Sequence, residues 1–305
     1  MPLSKDAFQR AESFVKTHAR ELDQQLFKFL FNGASGDGVL KALRRYQNKN
    51  GGFGHGLEPD FRTPASSPMA TSVALQYCVA VAAPEDHPVV TKSMKYLLRT
   101  FDSGAGYWPA TFMDVNQAPH APWWHLASPG PPKEENWPNP SAELLGYLYA
   151  YPRPVPKDFR ATVKRRAEVN LAFDNHMRGG PHRLYNLLCW QRALPYLPDD
   201  LGDKVRPSLA AAALERKPLT HEKLWELRIP WLAPDPEAPF AEALPEDVRR
   251  LMGDEIERQA PDGGWYPTWE WGQYPEAWAE ARLEWAGKLT VETLHALRAF
   301  ELIER

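Results

Sequence analysis

The chain has 305 residues, of which 43% are hydrophobic and 25% charged, and its formal net charge is −3 at pH 7. This is ordinary globular composition, and the near-zero charge excludes an electrostatic case for nucleic acid or an anionic membrane as partner. The N-terminus turns polar at once and no stretch is apolar enough for a membrane span, so we expect a cytoplasmic protein without a signal peptide. The two cysteines, Cys78 and Cys189, stand in apolar helical segments and are expected to be reduced core residues.

Hydrophobic periodicity predicts about twelve helices and no strand. In chain order the predicted helices cover about 5–18, 21–32, 39–46, 67–83, 88–101, 141–151, 157–176, 183–196, 203–217, 220–232, 245–259 and 288–303. The 30 prolines cluster between these segments, where they separate one helix from the next.

Charged and apolar helices alternate along the chain. The segment at 67–83 carries no charge and that at 141–151 is nearly all apolar, whereas 88–101 and 157–176 carry many charges. Two concentric layers of helices joined as hairpins would produce this alternation, because only the outer helix of each pair faces solvent. We therefore predict an all-α fold, an α/α toroid of about six hairpins that forms a single domain over 1–305. An irregular bundle or an open solenoid is the alternative.

Glycine turns recur with a common pattern. Residues 47–54 read Gln-Asn-Lys-Asn-Gly-Gly-Phe-Gly and residues 259–265 read Gln-Ala-Pro-Asp-Gly-Gly-Trp, with weaker echoes at 104–108 and 179–180. The two stronger turns resemble the repeat of squalene–hopene cyclases and protein prenyltransferase β subunits. The resemblance implies the α/α toroid fold.

The resemblance implies neither terpene cyclase nor prenyltransferase activity for this chain. Class II terpene cyclases protonate their substrate with an Asp-x-Asp-Asp acid, of which Pro198-Asp199-Asp200 is only a partial echo. Prenyltransferases bind zinc through Asp, Cys and His, and neither cysteine here stands beside a plausible aspartate partner. The run at 51–60 also resembles one in bacterial proteins of about this length, which implies no function.

Connectors from exposed to buried helices are long, and those in the opposite direction are short. The long connectors lie at about 49–66, 102–139, 176–182 and 260–287. In a hairpin toroid all connectors of one kind lie at one end, together with the N-termini of the inner helices, which favour an anionic group. This rim would collect most tryptophans and several histidines, His176 and His182 among them. Since long loops of this composition are usually functional, we predict a pocket there with aromatic walls and a polar floor.

The first candidate site is the loop that contains His55, Glu58 and Asp60, which we predict to be catalytic. Three proton-handling groups stand within six residues of each other in a glycine-flanked loop just before a buried helix. A carboxylate beside a histidine raises the histidine pKa and orients the ring for acid–base work. The alternative is turn chemistry, with Asp60 capping the helix and Glu58 paired with Arg62.

The second candidate site is the proline-stiffened loop around Trp123 and Trp124. Paired indoles suit stacking on a sugar or enclosing a carbocation, so both are predicted to bind substrate together with His120, and His125 is predicted to be catalytic. The alternative is a lid that packs on its own aromatic rings. With His55 these two histidines could ligate a metal, but loop spacing does not establish such a site, and we predict neither metal nor cofactor.

A third candidate group is Trp269, Glu270 and Trp271, where an extended loop would direct the carboxylate opposite the two indoles. We predict these three residues to bind substrate and Trp265 to be a packing residue. Other inward-facing polar candidates are Asn139, Glu143, Asn186 and Gln191. A lone asparagine on a buried helix is more often a satisfied core amide, which is the alternative for the two asparagines.

These residues favour an enzyme that uses His/carboxylate acid–base chemistry on a small-molecule or oligosaccharide ligand. A terpenoid cyclase or isomerase would need an isolated acid above an apolar cavity, and the family resemblance favours it. A carbohydrate lyase or hydrolase would use tryptophans with paired carboxylates, and the polar, histidine-rich loops favour it. A non-catalytic toroid that binds a ligand or peptide is the third hypothesis. The sequence does not specify an oligomeric state.

Overall fold

The computed structural model describes residues 1–130, 136–172, 184–225 and 227–304. Within these ranges the chain is all-helical, and β-structure is limited to isolated bridges. The α-helices are α1 (Lys5–His18), α2 (Glu21–Asn32), α3 (Asp37–Leu43), α4 (Pro68–Ala80), α5 (Pro88–Thr100), α6 (Pro138–Ala150), α7 (Lys157–Ala172), α8 (Leu184–Ala193), α9 (Asp199–Leu214), α10 (His221–Leu224), α11 (Ile229–Leu232), α12 (Pro239–Ala243), α13 (Pro245–Glu257) and α14 (Pro275–Ala299). The predicted connector at 176–182, with its two histidines and glycine pair, lies outside the described residues.

The predicted helices match this order with three differences. The segment at 220–232 forms the two short helices α10 and α11, and α12 was not predicted. The last helix begins at Pro275, so the connector predicted over 260–287 is shorter than expected. Proline in the first turn followed by an Ala- and Glu-rich run favours this earlier start. Gly287 does not break α14, because its missing side chain allows close packing: a Cβ there would lie 2.7 Å from the Cβ of Ala19.

Helix α4 illustrates how the sequence produces a buried helix. The Ser67 hydroxyl accepts the backbone N–H of Ala70 at 3.0 Å, and Pro68 occupies the first turn, where no hydrogen-bonded N–H is needed. The helix carries no charge, and most of its side chains are buried. The next helix, α5, instead keeps Lys92 and Lys95 exposed and buries its apolar stripe. The predicted alternation of buried and half-exposed helices is therefore present here.

The two Gly-Gly turns are built alike. Gln47 donates its side-chain N–H to the carbonyl of Gly51 at 3.0 Å, and Gln259 donates to Gly263 at 3.0 Å. Gly51 and Gly263 adopt φ values of 91° and 97°, which residues other than glycine rarely adopt. In both turns an added Cβ would collide with a backbone carbonyl, on α5 in the first turn and on α1 in the second. The same side-chain amides also bond those helices: Gln47 reaches α5 at 3.2 Å and Gln259 reaches α1 at 2.9 Å.

Each turn is also fastened to the helix that follows it. The aromatic residue of each turn donates its backbone N–H to a buried hydroxyl: Phe53 to Thr71 at 3.2 Å, Trp265 to Thr290 at 3.0 Å, and Trp108 of the weaker turn to Ser141 at 3.1 Å. Trp265 is 1% exposed, in agreement with its predicted packing role.

The first and last helices are neighbours. Helix α1 packs against α14, and α14 also packs against α2. The residues before α1 and after α14 form backbone hydrogen bonds with each other. Leu3 donates its N–H to the carbonyl of Leu302 at 2.8 Å, and Glu304 donates its N–H to the carbonyl of Leu3 at 2.9 Å. The chain therefore returns to its starting point, and the contact of Gln259 with α1 belongs to the same closure.

Two smaller expectations concern cysteines and membrane spans. Cys78 and Cys189 are buried free thiols, as expected for reduced core residues. Among the helices of the described ranges, none combines the length and apolar character that crossing a bilayer requires.

Candidate functional site

The connectors 49–66 and 102–139 meet at a cavity of about 620 Å³. Backbone hydrogen bonds join them: Arg62 donates its N–H to Pro119 at 2.8 Å, and Ala121 donates to Asp60 at 2.8 Å. The loop before α14 also contacts these connectors, because the Gln273 amide donates to the carbonyl of His120 at 2.7 Å. Side chains of α4, α6, α8, α11 and α14 complete the wall.

Tryptophan rings form much of this wall. They are Trp123, Trp124, Trp225, Trp231, Trp269 and Trp285. Trp231, Trp269 and Trp285 are nearly buried and contact one another, with ring centroids 5.2 Å apart for the last two. Trp123 and Trp225 are 50% and 51% exposed. The cavity therefore grades from packed indoles inside to solvent-exposed indoles at its edge.

Glu58 and Asp60 line this cavity side by side. One oxygen of Asp60 accepts the indole N–H groups of Trp271 at 2.9 Å and Trp285 at 2.8 Å. Donors of this kind stabilise a carboxylate. Glu58 is 6% exposed and accepts the backbone N–H of Asp60 at 3.3 Å. Burial, and then the charge of Asp60, raise the pKa of Glu58 to about 8. Glu58 therefore holds its proton at neutral pH beside the Asp60 side chain, a pairing that suits acid–base chemistry.

Glu143 is a second buried carboxylate in the cavity. One of its oxygens accepts a hydrogen bond from the Gln76 amide and another from the Tyr147 hydroxyl, both at 2.7 Å. The other oxygen lies 3.4 Å from the Arg192 guanidinium. Because these contacts come from three different helices, Glu143 is held in one orientation toward the cavity.

Lys288 and Glu292 form a further ion pair, with Lys288 on the cavity wall. The indole N–H of Trp231 donates to Glu292 at 2.9 Å. Burial favours a higher pKa for Glu292, but Lys288 and Arg192 outweigh it and lower the pKa. Among the described residues, the cavity wall therefore has two cations, Arg192 and Lys288, and each is paired with a carboxylate.

A second cavity, of about 230 Å³, adjoins the first. Gln76 and Lys288 line both cavities. On α4, Met69 near the N-terminus lines the first cavity and Ala80 near the C-terminus lines the second. On α14, His295 lines the second cavity. The two cavities thus follow the same pair of helices toward opposite ends.

Most of the predicted site residues line the larger cavity. They are Glu58, Asp60, Trp123, Trp124, Asn139, Glu143, Asn186 and Trp269. Glu270 is exposed outside it, while Trp271 is buried against Asp60 behind the wall. Gln191 is buried and does not line it. Arg62, the alternative partner of Glu58, instead pairs with Glu280 and Glu284.

The predicted histidines do not line the cavity. His55 has a φ of 57°, is exposed, and contacts the Asn48 side-chain oxygen at 2.9 Å. His120 and His125 contact each other at 3.1 Å, and the other ring nitrogen of His120 lies 2.6 Å from the carbonyl of Ala118. These rings are directed away by loop conformation. Among the described residues, carboxyl groups rather than histidines are therefore the proton-handling groups on the cavity wall.

The cavity residues that the sequence did not predict include two tryptophans, Trp225 and Trp231, and two cations, Arg192 and Lys288. A sequence signal existed for the two cations, because each is a charged residue on a largely apolar, buried helix, where charges are rare unless paired. The two tryptophans belong to the weakly patterned segment at 220–232, which offered no comparable signal.

Among the described residues, no group of three or more His, Cys, Asp and Glu side chains is arranged to hold a metal ion. Comparison with models of protein families, with curated protein sequences and with solved structures found no match for this chain.

Proposed function

We propose that this protein is an enzyme that cleaves a glycosidic bond of a carbohydrate, with Glu58 as the proton donor. The observation that carries the proposal is the buried, protonated Glu58 beside the Asp60 carboxylate, in a cavity that combines indole rings with amides and ion pairs. A sugar presents apolar C–H faces and a fringe of hydroxyl groups, and a wall of this mixed kind complements both.

The chemistry follows from the two carboxyl environments. Glu58 transfers its proton to the departing glycosidic oxygen as the bond to the sugar carbon breaks, and becomes a carboxylate. A water molecule then bonds to that sugar carbon and its surplus proton returns to Glu58, so that the net reaction is hydrolysis. Asp60, fixed by two indole N–H groups, keeps the proton on Glu58 until that moment. Glu143, Arg192 and the amide of Asn139 are among the polar groups of the wall that would orient sugar hydroxyls.

The same features speak against the terpenoid version of the hypothesis. A carbocation survives only where no base or nucleophile can reach it, and the wall here contains side-chain amides, Glu143 and Lys288. These groups suit a polar substrate that forms many hydrogen bonds.

We also propose that the helices are arranged as an α/α toroid. Two observations support this arrangement. Gln47 bonds α5, the next charged helix along the chain, and Gln259 bonds α1 in the same way, as expected if α1 follows α13 around a ring. The two cavities that share Gln76 and Lys288 would then be the two ends of the toroid's centre.

The test compares wild type with Glu58→Gln on a panel of tetrasaccharides, namely cello-, malto-, xylo- and chitotetraose and tetragalacturonic acid. Release of new reducing ends measures cleavage, and tryptophan fluorescence measures binding. We expect wild type to cleave a member of the panel and Glu58→Gln to bind it but cleave it at least about 100-fold more slowly.

The matched control is Glu257→Gln, which changes an exposed glutamate on α13 in the same way and should cleave at the wild-type rate. Equal rates for wild type and Glu58→Gln would refute the role of Glu58. Binding by wild type without any cleavage would favour the non-catalytic toroid instead.

A further inference from the structure

Two tryptophans at the edge of the larger cavity are unusually exposed. Trp123 and Trp225 leave 50% and 51% of their surface to solvent, whereas Trp231 and Trp285 on the same wall are 9% and 6% exposed. Leaving an indole in water forgoes the stabilisation that its burial would provide. Both rings therefore present apolar surface beside one cavity, where a bound molecule can contact them.

The backbone of Trp225 supplies a second observation. This residue ends α10 with φ 53° and ψ −122°, a conformation that residues other than glycine rarely adopt. Strain of this kind gathers at ligand-binding sites, where it holds a side chain in a position that relaxed backbone would not reach. Here the strained residue presents a half-exposed indole on the cavity wall.

The inner cavity and its edge offer different contacts. Inside, Glu58, Glu143 and Arg192 surround the space where bond cleavage is proposed, so a sugar ring there meets mainly polar groups. At the edge, a ring that extends outward meets the two exposed indoles, whose flat faces suit the C–H face of a sugar.

We infer that Trp123 and Trp225 form an outer subsite that stacks on a further sugar ring, so that the substrate is an oligosaccharide and not a monosaccharide. This inference rests on the proposed function, because it takes the ligand to be a carbohydrate. The inference adds to the proposed function the length of the substrate and the two residues that bind its further sugar ring.

The affinity test uses the tetrasaccharide panel named above and the matching monosaccharides, with Trp123→Ala, Trp225→Gly and Trp225→Phe. We expect each of the first two variants to bind the tetrasaccharide roughly tenfold more weakly and the monosaccharide as wild type does. Trp225→Phe should recover most of the affinity, because it keeps an aromatic face. Leu214→Ala, which truncates an apolar side chain 53% exposed on α9, is the control and should bind like wild type.

A stability measurement separates a binding role from a structural one. At most positions glycine is less stable than alanine, but at a positive φ the order inverts. Trp225→Gly should therefore melt at a higher temperature than Trp225→Ala while both lose tetrasaccharide affinity. A lower melting temperature for Trp225→Gly, or unchanged tetrasaccharide affinity in it, overturns the outer subsite.

These outcomes are distinct from failure of the proposed function. If wild type cleaves a tetrasaccharide and the tryptophan variants bind it normally, the outer subsite is refuted and the role of Glu58 stands. If wild type binds no member of the panel, both proposals fall.

Discussion

Replacing Glu58 with glutamine should make the protein more stable at neutral and alkaline pH. The carboxyl of an unfolded chain titrates near 4.5, whereas burial and the Asp60 charge raise the pKa of folded Glu58 to about 8. Between these values the unfolded chain has lost a proton that the folded protein keeps. The free energy of unfolding of wild type therefore falls as pH rises through this window, and the contribution is fully lost above the folded pKa.

The size of the effect follows from the linkage of one proton. The slope is at most about 1.4 kcal/mol per pH unit, which sets an upper limit on the order of 5 kcal/mol across the window. Glutamine is neutral at every pH, and its side-chain oxygen can still accept the backbone N–H of Asp60, which now lies 3.3 Å from Glu58. Glu58→Gln should therefore lack this part of the slope.

The assay is urea unfolding followed by tryptophan fluorescence, at intervals from about pH 5 to about pH 9. Wild type, Glu58→Gln and the exposed control Glu257→Gln are compared, so that titrations common to all three cancel. The stability advantage of Glu58→Gln should grow with pH and level off near pH 8. Asp60→Asn removes the neighbouring charge and should lower the pH at which this advantage levels off. An advantage that does not change with pH would refute the assignment of the proton to Glu58.

Two further pairs of variants test the packing described above by urea unfolding. Gly51→Ala places a Cβ against a backbone carbonyl at a φ of 91° and should lower the free energy of unfolding by about 2–3 kcal/mol. Gly253→Ala, in open space on α13, should raise it by about 0.5–1 kcal/mol. Equal effects of the two substitutions would contradict the predicted collision at Gly51. Glu255→Gln removes the charge that balances Arg228, and since the two side chains are 0% and 4% exposed it should cost about 3 kcal/mol or more. Glu242→Gln, in an exposed ion pair, should cost less than about 1 kcal/mol, and a comparable loss in both would count against the burial argument.

The helices were predictable because their signals are local. The apolar periodicity of α5 and the uncharged run of α4 are properties of a dozen consecutive residues, and the predicted segments recover both helices. The predicted start of α14 at residue 288 is wrong, because the run before Gly287 has the local character of a loop. The contact of that glycine with Ala19, far away in the sequence, is what allows the helix to continue through it.

The site was predictable only where connector position decided the outcome. Glu58 and Asp60 lie in a long loop before a buried helix, and this position alone predicts that they belong to the site. The role of His55 depended on a single backbone angle that turns its ring toward Asn48, which sequence does not reveal. The surroundings of Asp60 depend on indole N–H groups more than 200 residues away, from Trp271 and Trp285, which both donate to it.

The pairing of Leu3 with Leu302 and Glu304 has a consequence for engineering. A peptide linker could join the two ends, and new ends could be opened in the short connector between α4 and α5, at Pro84–His87. Such a circular permutant would keep the helix–helix contacts of the described residues while placing α5 first and α4 last in the chain. Its refolding rate relative to wild type would reveal whether docking of α1 on α14 comes early or late in folding.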